Sequence, residues 1–263
     1  MGDFLKKILY TGAASGIAAR VIEKIKNDYF IYVTVHNSME LKREKEKYKN
    51  EQNIICFKLD ITNDLDLETV KKLDIDILIN NAAISNGGSI INMDLNLLEQ
   101  VFETNVFGTF KLTQIVIQNM LKKGSGKIIN MSSLAGLVPI SFIGPYSASK
   151  ASITNLSIVL QKELSLINDK IRIIIIEPGV YKTGFNEYMF LNKYNDNFKE
   201  YFDDVIDKIK SKEVFIQNYI ELKNYKSIVN KIVKAINSDK PKTIYKAPLI
   251  EAILAKIYVI FKK

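Results

Sequence analysis

At 263 residues, with 47% hydrophobic and 25% charged residues and no polar low-complexity tract, the chain reads as globular, with room for one large α/β domain or two small ones; a disordered or fibrous protein is excluded. One cysteine and one histidine exclude an internal disulfide and leave little for a zinc site. The formal net charge of +8 comes from lysine spread along the chain, so nucleic acid is not read as a partner, although a basic field favours phosphorylated ligands and anionic membrane surfaces. The first five residues carry Asp3 and lack the apolar stretch of a secretory signal, and no run of about 18 uncharged apolar residues occurs, so the expected setting is the reducing cytoplasm.

Residues 7–10 form a short apolar strand candidate that runs into Thr11-Gly12-Ala13-Ala14-Ser15-Gly16-Ile17-Ala18, followed by a helical stretch to about Lys26. A strand, a small-residue turn and a helix start aim backbone N–H groups and a helix dipole at a phosphate, and the glycines allow close approach. The same pattern also describes an ordinary tight turn. A second strand over 29–35 ends at His36-Asn37-Ser38 with no acid where an adenosine ribose would present its 2′-hydroxyl. That argues against a strict NAD preference, and Lys42 or Arg43 could meet a 2′-phosphate. His36 reads as a polar strand end, and the charged run 40–51 as a solvated helix.

A third strand over 53–59, holding Cys56 as a buried strand thiol, ends at Asp60-Ile61-Thr62, which is expected to cap a helix reaching about Lys72. A fourth, 77–79, closes on Asn80-Asn81-Ala82-Ala83, whose amides could bond a ribose or hold the neighbouring strand. A helix from about Asp94 to Lys123 carries Asn105, locally unfavourable in mid-helix, so it is expected to bond something specific in a structural or a catalytic role. The fifth strand, 127–131, leads to Ser132 and Ser133; the sixth, 171–176, is almost wholly β-branched, as a strand buried on both faces should be, and runs into Pro178-Gly179-Val180-Tyr181-Lys182-Thr183. This alternation specifies a parallel sheet covered on both faces, with ligands at the carboxyl edge of the strands.

Between strands five and six, Tyr146 and Lys150 stand four apart, which stacks them on one helix face. A free tyrosine has a pKa near ~10, and a fixed ammonium nearby favours the phenolate. Ser133 then offers a hydroxyl to hold a carbonyl oxygen within reach of the phenol.

Beyond Gly184 the pattern turns aromatic and charged, with Tyr188, Phe190, Tyr194, Phe198, Tyr201, Phe202, Phe215 and Tyr219; residues 184–224 read either as a lid over a substrate or as a surface helical hairpin with those rings in its core. A helix over 227–237 and a strand near 243–245 come next. The tail, 248–263, places Ile250, Ile253, Leu254, Ile257, Ile260 and Phe261 at helical spacing among lysines, suiting packing on the body or a partner subunit, or shallow insertion at a membrane surface.

Thr11-Gly12-x3-Gly16, Asp60, Asn80-Asn81-Ala82, Asn105, Ser133, Tyr146-x3-Lys150 and Pro178-Gly179, in this order and with 146 − 133 = 13 between serine and tyrosine, strongly resemble the short-chain dehydrogenase/reductase family over residues 7–183 and more loosely beyond. The resemblance implies one Rossmann-like domain, a doubly wound seven-stranded parallel sheet with helices on both faces, binding NADP or NAD and forming a homodimer or homotetramer. It implies that Tyr146 is the general acid or base, that Lys150 lowers its pKa and bonds the nicotinamide ribose, that Ser133 orients a carbonyl, and that Asn105 supports a proton relay through water. Gly12, Ala14, Ser15, Gly16 and Ile17 would hold the pyrophosphate end; Asn37, Asp60 and Ile61 would lie by the adenosine, Asn81 and Ala82 by the ribose, and Pro178, Gly179, Val180, Tyr181 and Thr183 by the nicotinamide. No metal is implied. Ala18 and Ala83 stand where the family usually has glycine, and a methyl at Ala18 is expected to weaken binding at most.

The expected function is therefore hydride transfer between NADP(H), or NAD(H), and a ketone or secondary alcohol; Lys240-Pro241-Lys242-Thr243-Ile244-Tyr245 and the basic amphipathic tail loosely resemble family members that act on lipid- or steroid-like substrates. Two alternatives stay open: a non-catalytic NADP-binding sensor or scaffold, and a membrane-surface interaction protein.

Overall fold

The computed structural model of the chain describes residues 5–187, 194 and 196–261; Tyr188, Phe190, Lys262 and Lys263 lie outside them. Its strands are Lys7–Tyr10 (β1), Phe30–Val35 (β2), Ile54–Lys58 (β3), Ile77–Asn80 (β4), Gly126–Met131 (β5), Ile171–Pro178 (β6) and Ile244–Ala247 (β7). They form one sheet in the order β3-β2-β1-β4-β5-β6-β7, with every neighbouring pair parallel. Chain direction across the sheet reverses between β1 and β4, which opens a crevice at their carboxyl ends.

Both faces of the sheet are buried because successive strand residues alternate between two apolar layers. Ile8, Ile77, Ile79, Ile129, Ile174 and Ile176 point to one layer with helices α1 (Gly16–Ile25) and α9 (Lys226–Asn237). Leu9, Leu78, Ile128, Ile171 and Ile173 point to the other, where Leu112, Val116 and Met120 of α5 (Thr109–Lys123) and Leu164 of α6 (Gly144–Ile167) cover them. Each such side chain contributes about 1.5–3 kcal/mol on burial, so the sheet is held chiefly by its isoleucines. Helices α2 (Ser38–Lys47), α3 (Asp64–Val70), α4 (Leu95–Phe102), α7 (Asp196–Phe202), α8 (Ile206–Phe215) and α10 (Leu249–Phe261) complete the described elements.

Two local expectations change. The continuous helix expected over 94–123 is interrupted: Glu103–Gly108 forms a widened π turn between α4 and α5. Asn105 lies inside it, fully buried, because its amide bonds backbone outside the helix instead of continuing a regular turn. Gly108 permits the close passage there, since a Cβ on it would stand 2.9 Å from Ile61 O. The cap of α3 is Asn63, whose side chain accepts from the N–H groups of Leu65 and Asp66, and not Asp60, whose carboxylate turns back to Thr62.

Candidate active site

A cleft of about 490 Å³ runs along the carboxyl edge of the sheet where the strand order reverses. Its floor begins at the turn after β1. Gly12 adopts φ +57°, and a Cβ there would lie 2.7 Å from Ala82 Cα, so only glycine lets the β1 and β4 turns meet this closely. Thr11 and Asn81 lock the two together: Thr11 Oγ1 accepts from Asn81 N at 2.9 Å, and the Asn81 amide donates to Gly12 O at 2.8 Å. Ser15 caps α1, accepting from Ala18 N at 3.3 Å, and Ala14, Ser15 and Ile17 line the cleft at the positive end of that helix. Gly16 does not line it. Ala18 turns its methyl into the core with no exposure and does not line the cleft, so it adds to helix packing.

At the far end Asn37 caps α2 by accepting from Glu40 N at 2.9 Å, and Asn37, Asp60 and Ile61 all line the cleft. His36, expected only as a strand end, also lines it and lies 3.4 Å from the Asp60 carboxylate. Burial pushes the Asp60 carboxyl up, yet the Thr62 hydroxyl and N–H, with His36, hold it below the usual carboxylate range. Arg43 reaches across from α2 to Ala14 O at 3.5 Å, next to the glycine turn.

The chemistry gathers at the other end. Asn80 and Asn130 are paired in register on β4 and β5, the Asn80 amide N–H donates to Asn130 Oδ1 at 2.8 Å, and Thr113 and Ser157 extend this buried chain to α5 and α6. Asn80 thus holds the neighbouring strand, while Asn81 and Ala82 face the cleft. Above that chain stand Ser133, Tyr146 and Lys150, all lining the cleft. The Lys150 ammonium, buried, donates to Met131 O at 2.8 Å and sits 5.7 Å from the Tyr146 ring centre. Asn105 does not reach the cleft. Its amide bonds Ile84 N and O, both at 2.9 Å, and Ser149 Oγ at 3.0 Å; Ser149 in turn donates to Tyr146 O at 2.8 Å, tying the π turn to the first turn of α6.

The spacing of Tyr146 and Lys150 predicts a phenol drawn towards phenolate, but burial prevails. It pushes Tyr146 up to about 12, against a smaller opposing effect of the Ser133 hydroxyl bond, and brings Lys150 down to about 8. At neutral pH the site therefore offers a protonated phenol beside a buried ammonium, the form suited to giving a proton to a carbonyl oxygen. Half-buried Cys56 is pushed up to about 11, which leaves its thiol inert.

The third wall is the turn after β6. Pro178, Gly179, Tyr181 and Thr183 line the cleft, with Tyr181 bonded through its hydroxyl to Ser227 at 2.7 Å; Val180 does not line it. Phe185, its ring tilted 55° against that of Tyr146 with centres 5.4 Å apart, and Asn186 close this end; neither they nor Ile84 and Thr104 carry a sequence signal, because they come from the segment after Thr183, the β4 turn and the π turn and belong to no motif. The glycine cradle, the α1 N-terminus and the cleft linking them to Tyr146 fit a dinucleotide.

With this geometry in place, the comparisons agree. The family profile described as short chain dehydrogenase matches residues 6–193. The chain belongs to the short-chain dehydrogenase/reductase family. It is 27% identical over 262 residues, 92% of this chain and 87% of the relative, to an NADPH-dependent 3-dehydrocapnine reductase of Ornithobacterium rhinotracheale. It is 27% identical over 256 residues, 95% of this chain and 90% of the relative, to a 3-ketodihydrosphingosine reductase of Bacteroides thetaiotaomicron. A short-chain dehydrogenase/reductase from Burkholderia phymatum, solved in complex with NAD, shares the fold with a TM-score of 0.79 over 98% of this chain and 93% of that one, at 18% identity. As a family member the chain is an NAD(P)-dependent oxidoreductase with a Rossmann-like fold.

Proposed function

We propose that this family member transfers hydride between NADP(H) and a ketone or secondary alcohol, with NAD(H) the weaker cofactor, and that Tyr146 is its general acid and base. The observation that carries this reading is that Ser133, Tyr146 and Lys150 meet on one cleft with the glycine turn of β1. The nicotinamide supplies or accepts the hydride. In reduction, the Ser133 hydroxyl holds the carbonyl oxygen and the Tyr146 phenol gives it a proton; the buried Lys150 ammonium stabilises the phenolate left behind. Gly12, Ala14, Ser15 and Ile17 would hold the pyrophosphate, Asp60 and Ile61 the adenosine, and Gly179, Tyr181 and Thr183 the nicotinamide end.

The preference for NADP rests on the strand end without an acid and on Arg43 standing beside Ala14, where a 2′-phosphate would gain a bidentate partner. It agrees with the NADPH dependence in one relative's name. The names of both relatives favour a lipid-like ketone, and Phe185, at the start of the stretch 184–224, adds an apolar ring to the cleft wall that suits one. In this reading residues 184–224 form a lid on a single domain over 1–263. A panel of ketones and alcohols, long-chain 3-keto amines included, run with NADPH, NADH, NADP⁺ and NAD⁺ while following nicotinamide absorbance, tests the assignment: turnover fastest with NADPH supports it, and cofactor binding with no turnover across the panel would favour the sensor or scaffold instead.

A second reading concerns the tail. Ile250, Leu254, Ile260 and Phe261 on α10 are exposed, which suits a shallow seat on an anionic bilayer surface by a cytoplasmic protein. Among the described residues no helix is long and apolar enough to cross a membrane. Sedimentation with anionic liposomes, full-length against a chain ending before Leu249, checks this. Exposed Leu156 and Val159 on α6 suit a homodimer or homotetramer, measurable by light scattering.

A further inference from the structure

We propose that Glu251, on the first turn of α10, is a positioning residue for the reaction proposed above: it holds from behind the Gly179–Val180 segment that walls the cleft beside Ser133. The inference rests on that reading for its kinetic readout and on geometry for the rest. Glu251 Oε2 accepts a hydrogen bond from Val180 N at 2.9 Å. The carboxylate occupies the space a side chain on Gly179 would need, since a Cβ there would sit 1.9 Å from Glu251 Oε2 and 2.8 Å from Pro248 Cδ. Gly179 is thus bare on the side that receives the acid, and the wall has no room for both.

The remaining supports of this turn stop short of the Val180 amide. Pro178 pairs with Ala247 in the last rung of the β6–β7 ladder, and Gly179 N donates to Ala247 O at 2.7 Å. The Val180 carbonyl accepts from Leu222 N at 3.0 Å. Its N–H turns away from the cleft, and Glu251 is the acceptor that fixes it. Burial raises the Glu251 carboxyl above the usual range while the Val180 N–H draws it back, as expected of an acid held for its hydrogen bond and not for solvation.

The helix that carries Glu251 is itself anchored to the catalytic segment. Ala252 and Ala255 are buried against Leu134, with Leu137 and Val138 packed beside them, and Leu134 directly follows Ser133. Through one acid and two alanines, α10 therefore braces both the turn that bears Ser133 and the turn at the nicotinamide end. This places a residue from beyond the family-matched stretch, 6–193, behind the reaction centre.

The test uses the full chain in four forms, Glu251→Leu, Glu251→Ala, Glu251→Gln and, as a control on the exposed side of α10, Ile253→Ser. NADPH affinity is read by nicotinamide fluorescence, and kcat and KM with the fastest ketone of the panel. Glu251→Leu keeps the bulk and loses the acceptor, and is expected to weaken NADPH binding and lower kcat about tenfold each, the scale of one hydrogen bond to a charged group, with carbonyl KM little changed. Glu251→Ala carries the same expectation should the leucine variant not fold. Glu251→Gln keeps an acceptor oxygen and is expected to stay within about twofold of the parent, as is Ile253→Ser. The proposal is overturned if leucine and alanine leave both affinity and kcat at the parental value, or if glutamine loses as much as leucine does. Should the parent turn over no carbonyl at all, the reductase reading fails, while the contrast in NADPH affinity between leucine and glutamine still decides the role of Glu251.

Discussion

Beneath the cleft the chain buries polar groups against one another; on the outer face of α10 and the segment before α9 it leaves large apolar groups in the open. In the first region Asn80, Asn130, Thr113 and Ser157 form a continuous buried chain beneath Tyr146 and Lys150, and Asn105 uses both ends of its amide. In the second, Tyr219, Leu249, Ile250 and Phe261 are all more than two-thirds exposed, and one group of rings, Phe198 with Phe202, gathers on Phe142. A buried polar network costs much to disturb and so fixes geometry, whereas an exposed apolar surface awaits something to cover it. The division suits an enzyme whose proton chemistry is set by the sheet and whose substrate choice is set by the segments after β6.

The sharpest break in that comparison is Tyr146→Phe, which keeps the ring against Phe185 and removes the hydroxyl with the proton it carries. It should lower kcat by about 10²–10⁴-fold with NADPH affinity little changed; steady-state kinetics beside fluorescence titration checks both. Gly12→Val comes next, since a β-branched side chain at φ +57° meets Ala82; a loss of roughly 1–3 kcal/mol in denaturant unfolding, together with lost NADPH binding, is expected.

Ionisation supplies a third test. With Tyr146 protonated up to about 12 and Lys150 charged only below about 8, the ammonium is lost first as pH rises. The kcat/KM for carbonyl reduction should be level below pH ~8 and fall above it, and a profile flat to pH ~10 would remove Lys150 from the mechanism. On the far side of the comparison, Phe198→Ala separates lid from hairpin core: a lid raises KM for a long-chain ketone and spares a small one, whereas a hairpin core loses stability alone, by about 3–5 kcal/mol if the cavity does not collapse. The smallest effect belongs to Arg43→Ala, expected to weaken NADPH about tenfold and leave NADH unchanged in parallel titrations.

The same division governs how much is legible in the residues alone. Strand positions in the sheet are legible because burial on both faces demands runs such as Ile173 to Ile176, and the cleft is legible because Gly12, Asn81, Ser133 and Tyr146 each close a strand or open a helix at its rim. The features that escape have no periodic signal. The break at Glu103–Gly108 comes from one asparagine bonding Ile84, 21 residues earlier in the chain. The inward turn of the Ala18 methyl depends on how α1 settles on the sheet, and the presence of His36 at the cleft on the loop that carries Asp60. Glu251 lies in a stretch whose pattern is dominated by its apolar face, where a single acid resembles part of the solvated side. A lowered Tyr146 pKa, implied by the spacing to Lys150, is outweighed by burial, a quantity spacing does not carry.

Everything proposed for the chemistry turns on where the nicotinamide lies. A crystal structure of the chain with NADPH bound measures it directly: the pyrophosphate should rest on the turn from Gly12 to Ile17, and the nicotinamide ring between the Gly179 wall and Tyr146, close enough that a single carbonyl group spans the ring carbon and the phenol. A nicotinamide lying outside that span, with Tyr146 and Ser133 facing neither it nor the space beside it, would contradict the account.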